Sequence, residues 1–224
     1  MPLDIAKFKS VELESVGSTN DYAKELARAG KCDFAFIRAD SQTAGRTTKK
    51  DAPWFSPPGN LYFTALIKLG ADEAKHFQRL SFLTAISVVE TIEELAGGTA
   101  EVKIKWPNDI LLNVRKVCGI LIEKEGGHAV IGVGLNIGGS PPDAVALSAY
   151  PITSLAESGI NAGVRDAARI LGLRLVENIG DCARNGFADV LEKVRPFMYR
   201  IGEQVYVEFA GRKISGMFEG LDET

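Results

Sequence analysis

The spacing of apolar residues changes period several times along the chain, and each change marks an element. In GSTNDYAKELARAG, Tyr22, Ala23, Leu26 and Ala27 recur at helical spacing; Ser18 is placed as the N-cap, Asp21 follows three residues on, and Gly30 is the stop. DFAFIRA reads as a strand. The polar stretch from Asp40 to Asn60 has no apolar period, and so long a structureless segment in a compact chain is commonly functional or mobile. LYFTALIKL is strand-like. From Glu73 to Leu95 the spacing is helical with apolar residues almost all round, which predicts a well-buried helix. Strands are expected around 101–105, 116–124 and 129–136, and helices over about 163–183 and 186–195. From Gly202 the pattern changes: QVYVEF alternates with period two, AGRK makes a turn and ISGMFEG supplies a partner strand. Two strands alone are marginal, so this tail either packs on the main domain or is a module cut short at GLDET. The fold class is α+β: a mixed β-sheet with packed helices over residues 1–200, then a small β module over 201–224.

Composition narrows the class. The 224 residues are 46% hydrophobic with a net charge of −3, enough for one sizeable core and without the charge blocks of a basic nucleic-acid surface. Cys32, Cys118 and Cys182 are odd in number, far apart and without a CxxC pair. That suits a reducing cytosol and argues against a disulfide framework or structural zinc. The opening MPLDIAKFKS lacks an apolar signal core, and no apolar run approaches the ~18 residues of a membrane span. A cytoplasmic protein with no membrane association is expected. His76 and His128 stand far apart with no HExxH, so no metal-ligand set is expected from the protein, and the absence of GxSxG removes one route to a Ser nucleophile.

Four stretches have the composition of a site. In VKIKWPNDILLNVRKVCGILIE, Val102 and Ile104 alternate with Lys103 and Lys105, Pro107 holds Trp106 extended and stops the ladder, and Asn108 and Asp109 follow at the strand end. Lys116 opens the next strand with Gly119 three residues further on. A glycine inside a strand marks a bulge or a close approach, and a nearby lysine suits a phosphate or carboxylate, although a solvated turn cation fits that spacing too. In the 40–60 stretch, Gly45, Arg46, Lys49 and Lys50 form a basic loop that can fold over a polyanion or stay an ordinary hydrophilic loop; it is not a Walker loop. Gly132 and Gly134, two apart on a strand, strip the side chains from one face, to admit a ligand or a neighbouring backbone. Ile137 and Pro141-Pro142 rule out a Rossmann turn there. Ser18, Thr19 and Asn20 at a helix start can hold a polar ligand head, or Ser18 can serve as a plain cap.

The order of these signals is more specific than any one of them. GSTN, QTAGR, WFSPPGNLY, KWPND, RKVCGILIE and GVGLN in succession resemble the biotin protein ligase family from about residue 12 onward, with KWPND followed by RKVCGILIE the most specific pair. The resemblance implies a biotin/lipoate ligase-like catalytic domain, with the tail similar to the start of an SH3-like module. It implies ATP and biotin as substrates, with Mg2+ carried by the triphosphate, and biotinyl-5′-AMP as intermediate. The acceptor would be one lysine of a biotin carboxyl carrier domain of a biotin-dependent carboxylase. By motif position, Ser18, Thr19, Asn20 and Gln42 would hold the biotin head, and Gly45 and Arg46 its tail and activated carboxylate. Lys116 would contact that carboxylate and the α-phosphate, with Gly119 beneath the ligand. Asn108, Asp109, Trp54 and Asn136 would face the nucleotide, and Lys49 or Lys50 would reach the phosphates. Lys116, Arg46 and Asp109 are the catalytic candidates, Asp109 by orienting the incoming amine.

Three departures bear on these expectations. The family's GRGRRGRxW loop reads GRTTKKDAPW here, so the second, adenylate-retaining arginine falls on Thr48 and two glycines become Thr47 and Lys50. Lysine lacks arginine's planar fork, which leaves as alternatives a biotin-binding relative with impaired ligation through the 47–53 loop, or a lipoate-type acyl ligase. The tail ends before the module's last strands. The chain also starts at the catalytic domain, without the winged helix of the family's repressors, so no DNA binding is expected; a homodimer is compatible with the sequence.

Overall fold

The computed structural model describes residues 3–47, 54–140, 150–209 and 212–222. Its centre is a seven-stranded mixed sheet of β1 (Lys9–Val16), β2 (Phe34–Gln42), β3 (Leu61–Lys68), β4 (Val102–Lys105), β5 (Asp109–Leu112), β6 (Arg115–Glu125) and β7 (His128–Leu135), in the order β1-β2-β3-β7-β6-β5-β4. Only β1 and β2 run parallel; a parallel pair needs a crossover, and α1 (Thr19–Arg28) supplies it. The other pairs are antiparallel.

The two faces of the sheet are covered differently. On one, α3 (Arg79–Leu95), α4 (Val164–Asn185) and α5 (Phe187–Val194) close a single large core with Phe63, Ile67, Ile104, Ile110, Ile131 and Val133. α4 comes so near the sheet that a Cβ on Gly172 would meet the Phe36 ring at 3.0 Å. Among the described residues the one helix on the other face is α1, over a small cluster of Ala23, Ala35, Ile37, Leu66 and Val130. Beyond α1, toward β6, β5 and β4, no helix lies on that face among the described residues.

Several elements depart from expectation. The helix over 73–95 is two, α2 (Ala71–Lys75) and α3, separated by a turn at His76–Gln78. β2 runs on to Gln42, so the polar stretch starts later than its composition suggests. β1 and β5 were missed: β1 has an exposed, charged edge that hides its period, and β5 is four residues long. β4 ends at Lys105, just before Pro107, and the chain turns back over 106–108 into β5, with Lys105 opposite Asp109. The NVR turn is a two-residue hairpin connection with Asn113 and Val114 both at positive φ, 50° and 61°, as a type I′ turn demands. The tail forms a separate two-stranded sheet of β8 (Gln204–Phe209) and β9 (Arg212–Met217), and Phe218 and Leu221 beyond it pack on the main core.

Candidate functional site

Strand register assembles the open face. Lys105, Asp109, Gly119, Gly134, Tyr62 and Ala39 lie opposite one another across β4, β5, β6, β7, β3 and β2, so all six face the same side. Lys116 would face away from Gly119 by simple alternation, since the two are three positions apart. A shift in the β5–β6 register corrects this: Ile110 pairs with Cys118 but Leu111 pairs with Lys116, leaving Val117 as the extra residue of a bulge. The Lys116 side chain therefore emerges on the open face, its Cε 3.7 Å from where a Gly119 Cβ would stand.

The two glycines opposite each other form a floor, and the Trp54 indole lies on it. A Cβ on Gly134 would meet the indole at 2.6 Å and one on Gly119 at 3.0 Å. Lys116 Nζ sits 5.5 Å from the indole centroid, a cation–π contact. Trp54 Nε1 is buried with no hydrogen-bond partner, an orphaned donor in a groove that an acceptor on a ligand would satisfy. Lys116 Nζ also pairs with Asp109 Oδ1 at 2.6 Å, and Lys105 Nζ stands 3.6 Å from Asp109 Oδ2. Tyr62 gives its hydroxyl proton to the Pro57 carbonyl at 2.6 Å, tying down the segment that follows Trp54; burial pushes its phenol up to about 12, against a smaller opposing effect of Asn60.

At the other end of the groove, the start of α1 carries a buried polar chain. Gln42 Oε1 accepts from the Thr19 amide at 2.9 Å and from its hydroxyl at 3.1 Å, and Gln42 Nε2 donates to Ser56 Oγ at 3.0 Å. Thr64 Oγ1, fully buried, reaches Thr19 Oγ1 at 2.8 Å and Asn20 Oδ1 at 2.7 Å. Asn20 Nδ2 donates to Glu123 Oε2 at 2.9 Å, and Gly132 is side-chain-free because a Cβ there would collide with the Asn20 amide. Ser18 occupies the N-cap position, but its side chain makes no capping hydrogen bond, which corrects the plain-cap reading and leaves its buried hydroxyl free of that duty. Gly45 has no room for a Cβ, which would stand 2.6 Å from the Trp54 carbonyl, and its own carbonyl accepts from the Trp54 amide at 3.1 Å. The two ends of the 45–54 loop are thereby pinned together.

Arg46 is held apart from Lys116. It donates to Asp21 Oδ1 at 2.6 Å and Glu123 Oε2 at 2.9 Å, while Lys24 pairs with Glu123 Oε1 at 2.6 Å. Burial would raise the Glu123 carboxyl, but hydrogen bonds from Lys24 and Asn20 and the charges of Arg46 and Lys24 outweigh it and hold Glu123 below the usual range. Glu123 lies four residues along β6 from Gly119, about 13 Å. The expected convergence of Arg46 and Lys116 on one carboxylate is therefore not made here: each cation is neutralised by a different acid.

Asn108 closes the groove at the β4–β5 turn, its Nδ2 donating to the Ile120 carbonyl at 3.3 Å. Asn136 is buried at the end of β7, its Nδ2 on the Thr153 carbonyl at 3.0 Å and its amide on the Val117 carbonyl at 2.9 Å. Lys49, Lys50 and Thr48 fall outside the described residues. Sequence reasoning passed over Thr64, Glu123, Asp21, Lys24 and Asn60, whose Oδ1 accepts from the amides of Ile137 and Gly138. Thr64 did leave a signal, a small hydroxyl residue amid the largely apolar run LYFTALI. Among the described residues no group of three His, Cys, Asp or Glu is arranged to hold a metal ion, and no helix is long and apolar enough to cross a membrane.

One face of the sheet packs under helices; the other is an open groove with a glycine floor, two lysines paired with Asp109 and a buried amide–hydroxyl chain. Residues 13–138 match the model of the biotin/lipoate A/B protein ligase family. The biotin–[acetyl-CoA-carboxylase] ligase of Paracoccus denitrificans is 30% identical over 95% of this chain and 90% of its own length. The biotin protein ligase of Aquifex aeolicus in complex with biotin and ATP superposes with a TM-score of 0.83 at 27% identity, over 96% of this chain and 88% of that one. That of Leishmania major in complex with biotinyl-5-AMP gives 0.72 at 26% identity, over 85% of this chain and 81% of the other. The chain belongs to the biotin/lipoate A/B protein ligase family, as a catalytic domain of the biotin protein ligase kind.

Proposed function

We propose that this chain is an ATP-dependent biotin ligase. It joins the carboxylate of biotin to the α-phosphate of ATP, releasing pyrophosphate, and passes the acyl group of biotinyl-5′-AMP to a lysine of a biotin carboxyl carrier domain. The observation that carries the residue roles is the bulge on β6, which brings Lys116 onto the glycine floor beside Asp109.

Each end of the groove has a chemistry suited to one end of the substrate. The hydroxyl and amide groups of Ser18, Thr19, Asn20 and Gln42 are matched to a polar, uncharged head such as the ureido ring. From there the substrate tail runs past Gly45 toward Lys116. Attack of a carboxylate on a phosphate brings two anions together; the Lys116 ammonium lowers that repulsion and meets the charge that builds on the α-phosphate oxygens. When the carboxylate oxygen bonds to phosphorus, the P–O bond to pyrophosphate breaks and its electrons leave with pyrophosphate. ATP would arrive as its Mg2+ complex, which would supply charge screening for the triphosphate. In this reading Trp54, Asn108 and Asn136 flank the nucleotide and Arg46 covers the substrate tail; Lys49 and Lys50, which lie outside the described residues, are assigned to the phosphates from motif position alone.

Lys116 also sets up the second step. In the unliganded protein it neutralises Asp109 at 2.6 Å. Once it turns to the phosphate, Asp109 is free to accept a hydrogen bond from the incoming lysine amine and aim its lone pair at the acyl carbon. The C–N bond forms, AMP leaves, and the amine proton passes toward Asp109. The reaction takes place in the cytoplasm, on the carrier domain of a biotin-dependent carboxylase.

Intact mass spectrometry of a carrier domain incubated with this chain, biotin and Mg-ATP tests the proposal. One biotin on one carrier lysine, absent with Lys116→Ala, is the expected result. An unmodified carrier, or equal labelling by the variant, would overturn the ligase activity or the role of Lys116, respectively.

A further inference from the structure

A second groove lies on the opposite face of the sheet, away from Lys116 and the glycine floor. Glu12, Arg38 and Phe63 stand opposite one another on β1, β2 and β3, one residue out of step with Leu13, Ala39 and Tyr62, so they face the other side. The groove measures about 440 Å3 between these strands, the start of the chain and α4. That is within the roughly 300–1,000 Å3 of small-molecule pockets. Its floor is aromatic: Phe8 stacks on Phe36 with ring centroids 4.2 Å apart, and Phe36 lies 5.3 Å from Phe63.

Its rim is cationic. Arg38, Arg165 and Arg169 line it together with Glu12. Arg38 is 8% exposed, pairs with Asp40 and, at 3.0 Å, with Glu12, and keeps a buried Nε with no hydrogen-bond partner. Arg165 pairs with the same Glu12 oxygen at 3.2 Å, and Arg169 has no ion-pair partner among the described residues. Three guanidiniums against the carboxylates of Glu12 and Asp40 leave one positive charge in excess. Phe8 and Phe36 keep part of their ring surface open to water and the buried Arg38 Nε has no acceptor, and one kind of molecule relieves both costs: an apolar body with a single carboxylate.

We infer that this groove is a second ligand site, specific for a small apolar monocarboxylic acid, with its chain on Phe8, Phe36 and Phe63 and its carboxylate on Arg169 and Arg38. Glu12 is half-exposed and competes with that carboxylate for Arg38 and Arg165. The inference stands independently of the proposed ligation, because no residue is shared between the two grooves. Biotin is itself an apolar carboxylic acid, so the test must keep the two sites apart.

Sodium octanoate is titrated calorimetrically into the full chain saturated with biotin, with 1-octanol as the uncharged control. One octanoate is expected to bind, at least tenfold more tightly than octanol. Arg165→Gln combined with Arg169→Gln, both on the exposed surface of α4, should weaken octanoate at least tenfold with biotin affinity unchanged. Glu12→Gln, which removes the competing carboxylate, should tighten it. The inference is overturned by a signal that disappears under saturating biotin, by octanol binding as well as octanoate, by an unaffected arginine double variant, or by no saturable binding up to on the order of 10 mM.

Discussion

The two faces of the central sheet are made by the same strands and serve opposite ends. Toward α3, α4 and α5 each strand presents large apolar side chains that interlock at interior density, with Leu175 of α4 fully buried among them. Toward α1 the same strands present glycines at 119, 132 and 134, a buried threonine, a tyrosine and ion-paired lysines. One face gains stability from contacts; the other gives up contacts for a floor. The contrast shows how a small domain divides labour across a sheet one side chain thick: alternation lets neighbouring residues answer to different demands, since Tyr62 lies over the site and Phe63 in the core.

Substitutions on the two faces should therefore separate activity from stability. Lys116→Ala is expected to lower the rate of adenylate formation by about two to three orders of magnitude while leaving the thermal midpoint nearly unchanged. Leu175→Ala should cost about 2–5 kcal/mol of stability and leave the turnover of the folded fraction near wild type. Pyrophosphate-release kinetics and denaturant titration on both variants check this; a crossed pattern would dissolve the distinction between the faces.

Thr64→Val sharpens the comparison, because it puts an apolar residue of the same shape at a fully buried polar position of β3 that faces the site. It removes the hydroxyl that reaches Thr19 and Asn20, at an expected cost of about 1–3 kcal/mol. If Thr19 and Asn20 are positioned by this contact, biotin affinity falls as well, measurable by calorimetry. Stability loss with intact affinity would make the contact purely structural.

The smallest expected effect is one of pH. Glu123 is held below its ordinary 4.5, so its contribution is complete above that value and fades as pH falls through the lower pKa of the folded protein. Protonation releases Arg46 and Lys24 from Glu123 and leaves them to Asp21. Stability measured as pH is lowered from about 5 should fall less steeply in Glu123→Gln than in the parent chain. Superimposable curves would assign the acid sensitivity to other carboxylates.

Much of the packed face was legible in the sequence, because burial leaves a periodic trace: the long apolar spacing of α3 and the alternation in β4 both predicted their elements. The open face left a trace of a different kind, in motif order. KWPND and RKVCGILIE pointed to Lys116, Asp109 and Gly119 before any geometry was known, and the spacing of Gly132 and Gly134 announced a strip without side chains. What those motifs could not convey was the direction in which each residue points. Lys116 and Gly119 are three apart, which in a regular strand sets them on opposite faces, and only the bulge at Val117 reverses this.

The sequence by itself determined the fold class, the family and most of the residues that line the groove, since local periodicity and motif chemistry are properties of neighbouring residues. The tertiary structure decided which of them meet. It set the Trp54 indole on glycines from two different strands, joined Thr19 to Gln42 and Thr64, and gave Arg46 to Asp21 and Glu123 rather than to the partner of Lys116. Those contacts link residues tens of positions apart, and they depend on register, bulges and competition between charges, which are settled only when the whole sheet is assembled.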